Sequence, residues 1–279
     1  MRPIGVQRSR AMKLVHLTFT SVGRLPLAPG EAMRRRVLHA VGRAAADVVV
    51  LFALVDDHLH LAVYCDEARL GHLCRALILG LRATVDVDVN VAHRSPIRDR
   101  AHLETLVRYF LTQPAHHGLA EHPALTTGSC FPELVGARIV PGLTLQLAEV
   151  LPRYRLRVAY PHVGLPATPL VPASAERVRE AGAARIGAAV AAAAGCGPVL
   201  DGRTPLDADA RAAAVHLARA SEVDLVGLAN TLGITTRAVR RIVADRPAPE
   251  PLVRAARLRL ALEDAAIAAS LASAGQRQV

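Results

Sequence analysis

His58, Leu59 and His60 stand together in this chain, and about fifty residues later come Tyr109-Phe110-Leu111-Thr112-Gln113. Residues two apart on an extended strand point to the same side, so His58 and His60 can offer two imidazoles to one cation. Residues four apart on a helix share a face, so Tyr109 and Gln113 can bring a phenol and an amide oxygen to one place. Two imidazoles and an amide oxygen suit a divalent cation such as Mg²⁺ or Mn²⁺, and the phenol beside them is a nucleophile. These residue types at this spacing point to metal-assisted attack of a tyrosine on DNA.

For that chemistry the histidines need a strand and the tyrosine a helix, and the patterning supplies both. Lys13 to Val22 reads as a strand, and Pro29-Gly30-Glu31 opens a helical stretch with Arg34, Arg35 and Arg36 on its polar side. Val48 to Val55 is an apolar, β-branched run. Asp56-Asp57 is a turn signal and Leu59 to Tyr64 continues as the paired strand of a hairpin, with the histidines at its start. Asp66-Glu67 begins a helix carrying Leu70, Leu73, Leu77 and Leu81, and Val85 to Val91 alternates as a fourth strand. From about residue 100, Leu103, Leu106, Val107, Phe110 and Leu111 have helical spacing, and Pro114 is expected to close that helix. The order β-α-β-β-α-β with an appended helix predicts an α+β fold on a ferredoxin-like antiparallel sheet.

Composition narrows the class. With 279 residues, 52% of them apolar and 21% charged, the chain is globular in character and long enough for one or two domains. Thirty-four basic against 24 acidic side chains leave a net charge of +10, which favours a polyanionic partner such as nucleic acid. Lys13 is the sole lysine, so coding bias toward arginine and alanine contributes to that excess. Cys65, Cys74, Cys130 and Cys196 form no CxxC pair, and the N-terminus does not read as a signal peptide, so reduced thiols in a cytoplasm are expected. The Ala-rich stretch at 183–196 contains Arg185 and glycines and is too short and too weakly apolar to span a membrane.

The second half differs in character. Residues 141–175 are rich in Pro and Gly and read as an ordered connector or an arm on the first domain; a helix from about Ser174 to Ala194 follows, then helices at Asp207 to Ala220 and Asp224 to Leu232. Ala229, Leu232-Gly233-Ile234 and Val239 match a helix-turn-helix: a small residue where helices cross, a glycine in the turn, and apolar anchors in the second helix. Thr235 would cap that helix, leaving Thr236, Arg237, Arg240 and Arg241 to face DNA. From Thr235 to Arg259 seven arginines stand against Asp245 and Glu250, a net +5. The alternative is an ordinary helical hairpin with a basic solvated face. A last helix at about 251–272 is expected to pack back on this module. The expected domains are 1–140, catalytic; 141–205, connector and helix; and 206–272, helical and DNA-binding.

His58-Leu59-His60 resembles the His-apolar-His pair of HUH nucleases. Tyr109 to Pro114, followed by His117-Gly118-Leu119 and His122-Pro123, resembles the region around the nucleophile in single-tyrosine HUH transposases, above all those associated with repetitive extragenic palindromes. The resemblance spans about residues 10 to 140. Members often carry Pro-Asn before the first histidine, where this chain has Asp56-Asp57, and Asn-Pro-Val after the tyrosine, where it has Gln113-Pro114-Ala115. The resemblance implies Mg²⁺ or Mn²⁺ on His58, His60 and Gln113, attack by Tyr109 to give a 5′-phosphotyrosine and a free 3′-hydroxyl, and a single-stranded, hairpin-forming DNA substrate handled by a monomer or homodimer in a prokaryotic cytoplasm, close to the nucleoid. Asp56 and Asp57 read as a turn or as partners of an imidazole, and His116, His117 and His122 as a solvated loop, with contact to DNA as the alternative. The runner-up is a non-catalytic DNA-binding regulator on the same fold, which has no need of the Tyr109 hydroxyl; an unrelated metal hydrolase is a distant third.

Overall fold

A computed structural model describes residues 11–45 and 47–276. Residues 1–10, the stretch in which a signal peptide would begin, lie outside them. In β1 (Lys13–Thr20) every second residue is apolar, and Val15, Leu17 and Phe19 are buried while His16, Thr18 and Thr20 occupy the other face. After α1 (Gly30–Ala45), β2 (Val49–Leu54) is buried throughout; Asp56-Asp57 then turns the chain into β3 (His58–Cys65). The Asp66 side chain caps α2 (Glu67–Arg82) by accepting from the Arg69 amide. β4 (His93–Pro96) and α3 (Arg100–His116) complete this half. The strands form one antiparallel sheet in the order β2-β3-β1-β4.

Two sequence expectations are corrected. The fourth strand is His93–Pro96 and not Val85 to Val91. That earlier segment crosses the end of β1, held there by a bridge between Ser21 and Val89 and by the Asn90 amide, which donates to the Thr20 carbonyl at 2.9 Å. Its alternation has a different cause: Val85 and Val89 plug the core from a loop while Val91 is 80% exposed. Nor does Pro114 close α3, which runs on to His116. Proline removes one amide donor, yet near a helix end the loss is local, and His117 and Leu119 still donate to the Gln113 and Pro114 carbonyls.

Residues 131–165 contain the single-turn helices α4 (Phe131–Leu134) and α5 (Leu147–Val150), and Leu143, Leu147, Leu151, Tyr160 and Val163 join the core around the sheet. A second core is built by α6 (Ala175–Ala193), α7 (Pro205–Ala220), α8 (Leu225–Thr231), α9 (Thr236–Asp245) and α10 (Glu250–Gln276). α10 belongs to both: Leu252, Ala255, Ala256 and Leu260 enter the second core, Leu258, Leu262 and Ala266 the first. His39 also bonds the Gly195 carbonyl at 2.9 Å, and the Ile139 amide that of Ala193 at 2.7 Å. All four cysteines are buried and none is in a disulfide. No described helix is long and apolar enough to cross a membrane.

Candidate active site

Strand register builds the site. His58 lies opposite Thr20 and His60 opposite Thr18, with His16 diagonal to His60 on the same face; opposed and diagonal neighbours of an antiparallel pair are within side-chain reach. His60 Nδ1 therefore sits 3.0 Å from His16 Nε2 and 3.1 Å from Thr18 Oγ1. The His58 and His60 rings stand edge to face with centroids 4.4 Å apart. α3 lies across this side of the sheet, because Leu103, Leu106, Val107, Phe110 and Leu111 bury its apolar stripe. Phe110 stacks on His60 at 5.7 Å, and the preceding residue brings Tyr109 Oη to 3.1 Å from His60 Nε2.

On the outer side of the pair, His58 Nδ1 donates to Asp57 Oδ1 at 2.7 Å. The His117 ring lies 5.0 Å from that of His58, with Nδ1 3.9 Å from the same carboxylate oxygen. Asp57, His58 and His117 thus place three potential ligand atoms within 4.8 Å of one another. The turn carrying Asp57 is braced from behind. Buried Arg34 on α1 donates to Asp56 at 2.8 Å and lies 3.6 Å from Glu121. The Leu54 amide donates to the Gly128 carbonyl at 2.8 Å, an approach so close that a Cβ on residue 128 would stand 1.9 Å from the Leu54 oxygen. Only glycine fits there.

Burial sets the protonation states. His60, 5% exposed, has its pKa pushed down to about 3, chiefly by desolvation and then by the neighbouring His58, His16 and His117. His16 is lowered to about 4, again by burial first, then by His93 and His102. Both rings are neutral at physiological pH, the form in which imidazole donates a lone pair. Burial raises the Tyr109 phenol above its ordinary value, so the hydroxyl keeps its proton until something takes it. Tyr109 is nevertheless 39% exposed.

Of the residues singled out from sequence, His58, His60 and Tyr109 converge. Gln113 follows one turn further along α3, only 4% exposed, and makes no side-chain hydrogen bond among the described residues. Thr236, Arg237, Arg240 and Arg241 lie apart on α9, all exposed. Thr235 caps α9 by accepting from the Ala238 amide, and the preceding turn needs positive φ at Gly233 (64°). Arg241 is 3.6 Å from Asp245, while Arg237 and Arg240 form no ion pair among the described residues. The basic run is smaller than its seven arginines: Arg257 donates to the Ala173 carbonyl, and Arg259 to Glu263 and the Leu125 carbonyl, so both fasten α10 to its neighbours.

His117, expected in a solvated loop, sits against Asp57 and His58 because α3 continues past Pro114. Sequence reasoning missed His16 and Thr18 altogether. Their signal was present: polar residues at alternate positions of a strand whose other positions are Val15, Leu17 and Phe19. A scan of protein-family models, a search of curated proteins and a search of solved structures each find no match to this chain.

Proposed function

We propose that the chain is a single-tyrosine nuclease and strand transferase of the HUH kind, acting on single-stranded or hairpin DNA. The observation that carries this reading is the approach of Tyr109 Oη to 3.1 Å from a buried, neutral His60, beside His58 on the same strand face. The element order and the strand order β2-β3-β1-β4 suit a ferredoxin-like sheet, the frame this chemistry calls for. The donors suit a divalent cation: two imidazoles side by side, one tied through Nδ1 to a carboxylate in the manner of metal-ligating histidines. His58, His60 and Gln113 would hold it. When bound, Mg²⁺ or Mn²⁺ would polarise and orient the scissile phosphate as a Lewis acid.

Tyr109 Oη attacks the phosphorus. The bond to the 3′ oxygen breaks, the phenol proton passes to solvent, and the 3′ oxygen takes a proton from water and leaves as a hydroxyl, giving a 5′-phosphotyrosine. A 3′-hydroxyl from another strand then reverses the step and joins elsewhere, because the ester retains the phosphodiester's energy. α8, the Gly233 turn and α9 act as a helix-turn-helix-like module in which Thr236, Arg237, Arg240 and Arg241 meet the phosphate backbone and the groove. The net charge of +10 agrees with such a partner.

The test is a covalent adduct on a denaturing gel, with Mn²⁺ and oligonucleotides carrying inverted-repeat hairpins from the flanks of the gene. Tyr109→Phe keeps the ring and removes the attacking oxygen, so the adduct should vanish while DNA affinity changes by less than about twofold. An adduct that survives in Tyr109→Phe refutes Tyr109 as nucleophile. DNA binding with no adduct from the parent protein would make it a regulator.

A further inference from the structure

We propose that His16, seconded by Thr18, is a positioning residue that holds His60 as its Nδ1–H tautomer, so that the Nε2 lone pair faces Tyr109 and the cation. The inference rests on the nuclease reading for its purpose, but its geometry stands independently. A neutral imidazole has one N–H and one lone pair, and the partner of one nitrogen decides what the other presents.

Both nitrogens of His60 have neighbours. Nδ1 faces His16 Nε2 at 3.0 Å and Thr18 Oγ1 at 3.1 Å; Nε2 faces Tyr109 Oη at 3.1 Å. With the hydrogen on Nδ1, it is shared between His16 and Thr18, and the Nε2 lone pair is free to accept from the phenol or to ligate. With the hydrogen on Nε2, neither is possible. The threonine hydroxyl can rotate to donate or accept, so it follows the choice. On this proposal His16 presents a lone pair at Nε2 and carries its own hydrogen on Nδ1.

His58 reaches the same end by another device. Its Nδ1 bonds Asp57, and a carboxylate only accepts, so Nδ1–H is enforced and Nε2 is left bare. A carboxylate is less suited to His60. Asp57 keeps a side-chain exposure of 50%, whereas the surroundings of His60 are buried, and an ionised group there would lose its hydration. A neutral imidazole fills the role without burying a charge. The β1–β3 register delivers it, since His16 lies on the diagonal from His60.

The test needs no turnover. Two-bond ¹H–¹⁵N correlation spectra, recorded with chelator, read each histidine tautomer directly, and calorimetry reads Mn²⁺ affinity. In the parent His60 should be the Nδ1–H form. His16→Gln can place an amide oxygen where Nε2 stood, and should keep that tautomer with Mn²⁺ affinity within about threefold. His16→Leu should move His60 toward Nε2–H and weaken Mn²⁺ binding by roughly 10 to 100-fold, the usual effect of removing such a partner. His16→Phe serves if the leucine variant does not fold. A parent already in the Nε2–H form, or an apolar variant with unchanged tautomer and affinity, overturns the proposal. A parent in the Nδ1–H form that responds to His16 but binds no Mn²⁺ upholds the tautomer lock and sinks the metal reading instead.

Discussion

The two cores are packed from different residues. All four phenylalanines of the chain (Phe19, Phe52, Phe110 and Phe131) lie in the core around the sheet, whereas alanine supplies half of the buried apolar residues described in the helical core. Large rings and branched side chains fill space in only a few ways, so they can hold an imidazole or a phenol to a fraction of an ångström, the tolerance chemistry requires. Alanine lets helices approach closely but positions little beyond the backbone. The helical half instead exposes long arginine side chains on α9, which suffices for attracting phosphate, since that attraction is long-ranged and tolerant of orientation. On the proposed function, bond breaking would belong to the sheet half and recruitment to the helical half, with α10 joining them.

The strongest challenge to that division is removal of the paired imidazoles. His58→Ala with His60→Ala should abolish Mn²⁺ binding in calorimetry and the covalent adduct together, while DNA affinity through α9 remains; Mn²⁺ binding that persists would shift the cation to Asp57 and His117. Next comes the strut. Leu262 is fully buried in the sheet core although its helix also packs the other, so Leu262→Ala should lower stability by roughly 2 to 5 kcal/mol. Urea unfolding should remain a single transition in far-UV circular dichroism; two separated transitions would mean that the halves fold independently.

Replacing Arg237, Arg240 and Arg241 with alanine sharpens the contrast from the other side. Every arginine–phosphate pairing removed should reduce the slope of log affinity against log salt by roughly 0.7 to 0.9, so a flattening of about two units is expected, with Mn²⁺ binding and cleavage at saturating DNA intact. Unaltered binding at every salt concentration would make α8 and α9 a structural hairpin.

The smallest effect concerns acid. His60 and His16 have folded pKa values of about 3 and about 4, below the 6.5 of the unfolded chain, so below pH 6.5 the unfolded state binds more protons. With chelator present, stability should be flat above about pH 7. It should fall through pH 6 and 5 by up to about 1.4 kcal/mol per pH unit for each of the two histidines, in nearly equal parts because both folded values lie below pH 5, and His60→Phe should reduce that slope. A parent whose stability is unchanged between pH 7 and 5 would mean that these rings are not held neutral.

What could be read from sequence was what neighbours in the chain decide. Thr235 caps the helix that follows it, and Asp66 and Ser174 stand at the starts of theirs, because each accepts from an amide three residues further on. The hairpin of β2 and β3 was legible in its apolar run and acidic turn. β4 was not: Val85 to Val91 alternates better than His93–Pro96, but alternation marks a half-buried segment and not its pairing partner, and it is His93–Pro96 that lies along β1 from Val15 to Thr18. The extension of α3 past Pro114 was hidden for a similar reason, since a proline rule describes the average helix, and near this helix end the missing donor disturbs little.

His58, His60 and Tyr109 were nameable from type and spacing, because a two-residue period on a strand and the start of an i, i+4 pair on a helix are properties of the backbone itself. His16, Thr18 and the true place of His117 depended on register between strands 42 to 44 residues apart in the chain and on where α3 ends. Residue types and their spacing settle which groups exist and which faces they share within each element. Tertiary structure alone decided which faces meet, and with them which ring is buried and which nitrogen is left free, because desolvation and hydrogen bonding arise between elements and not along them.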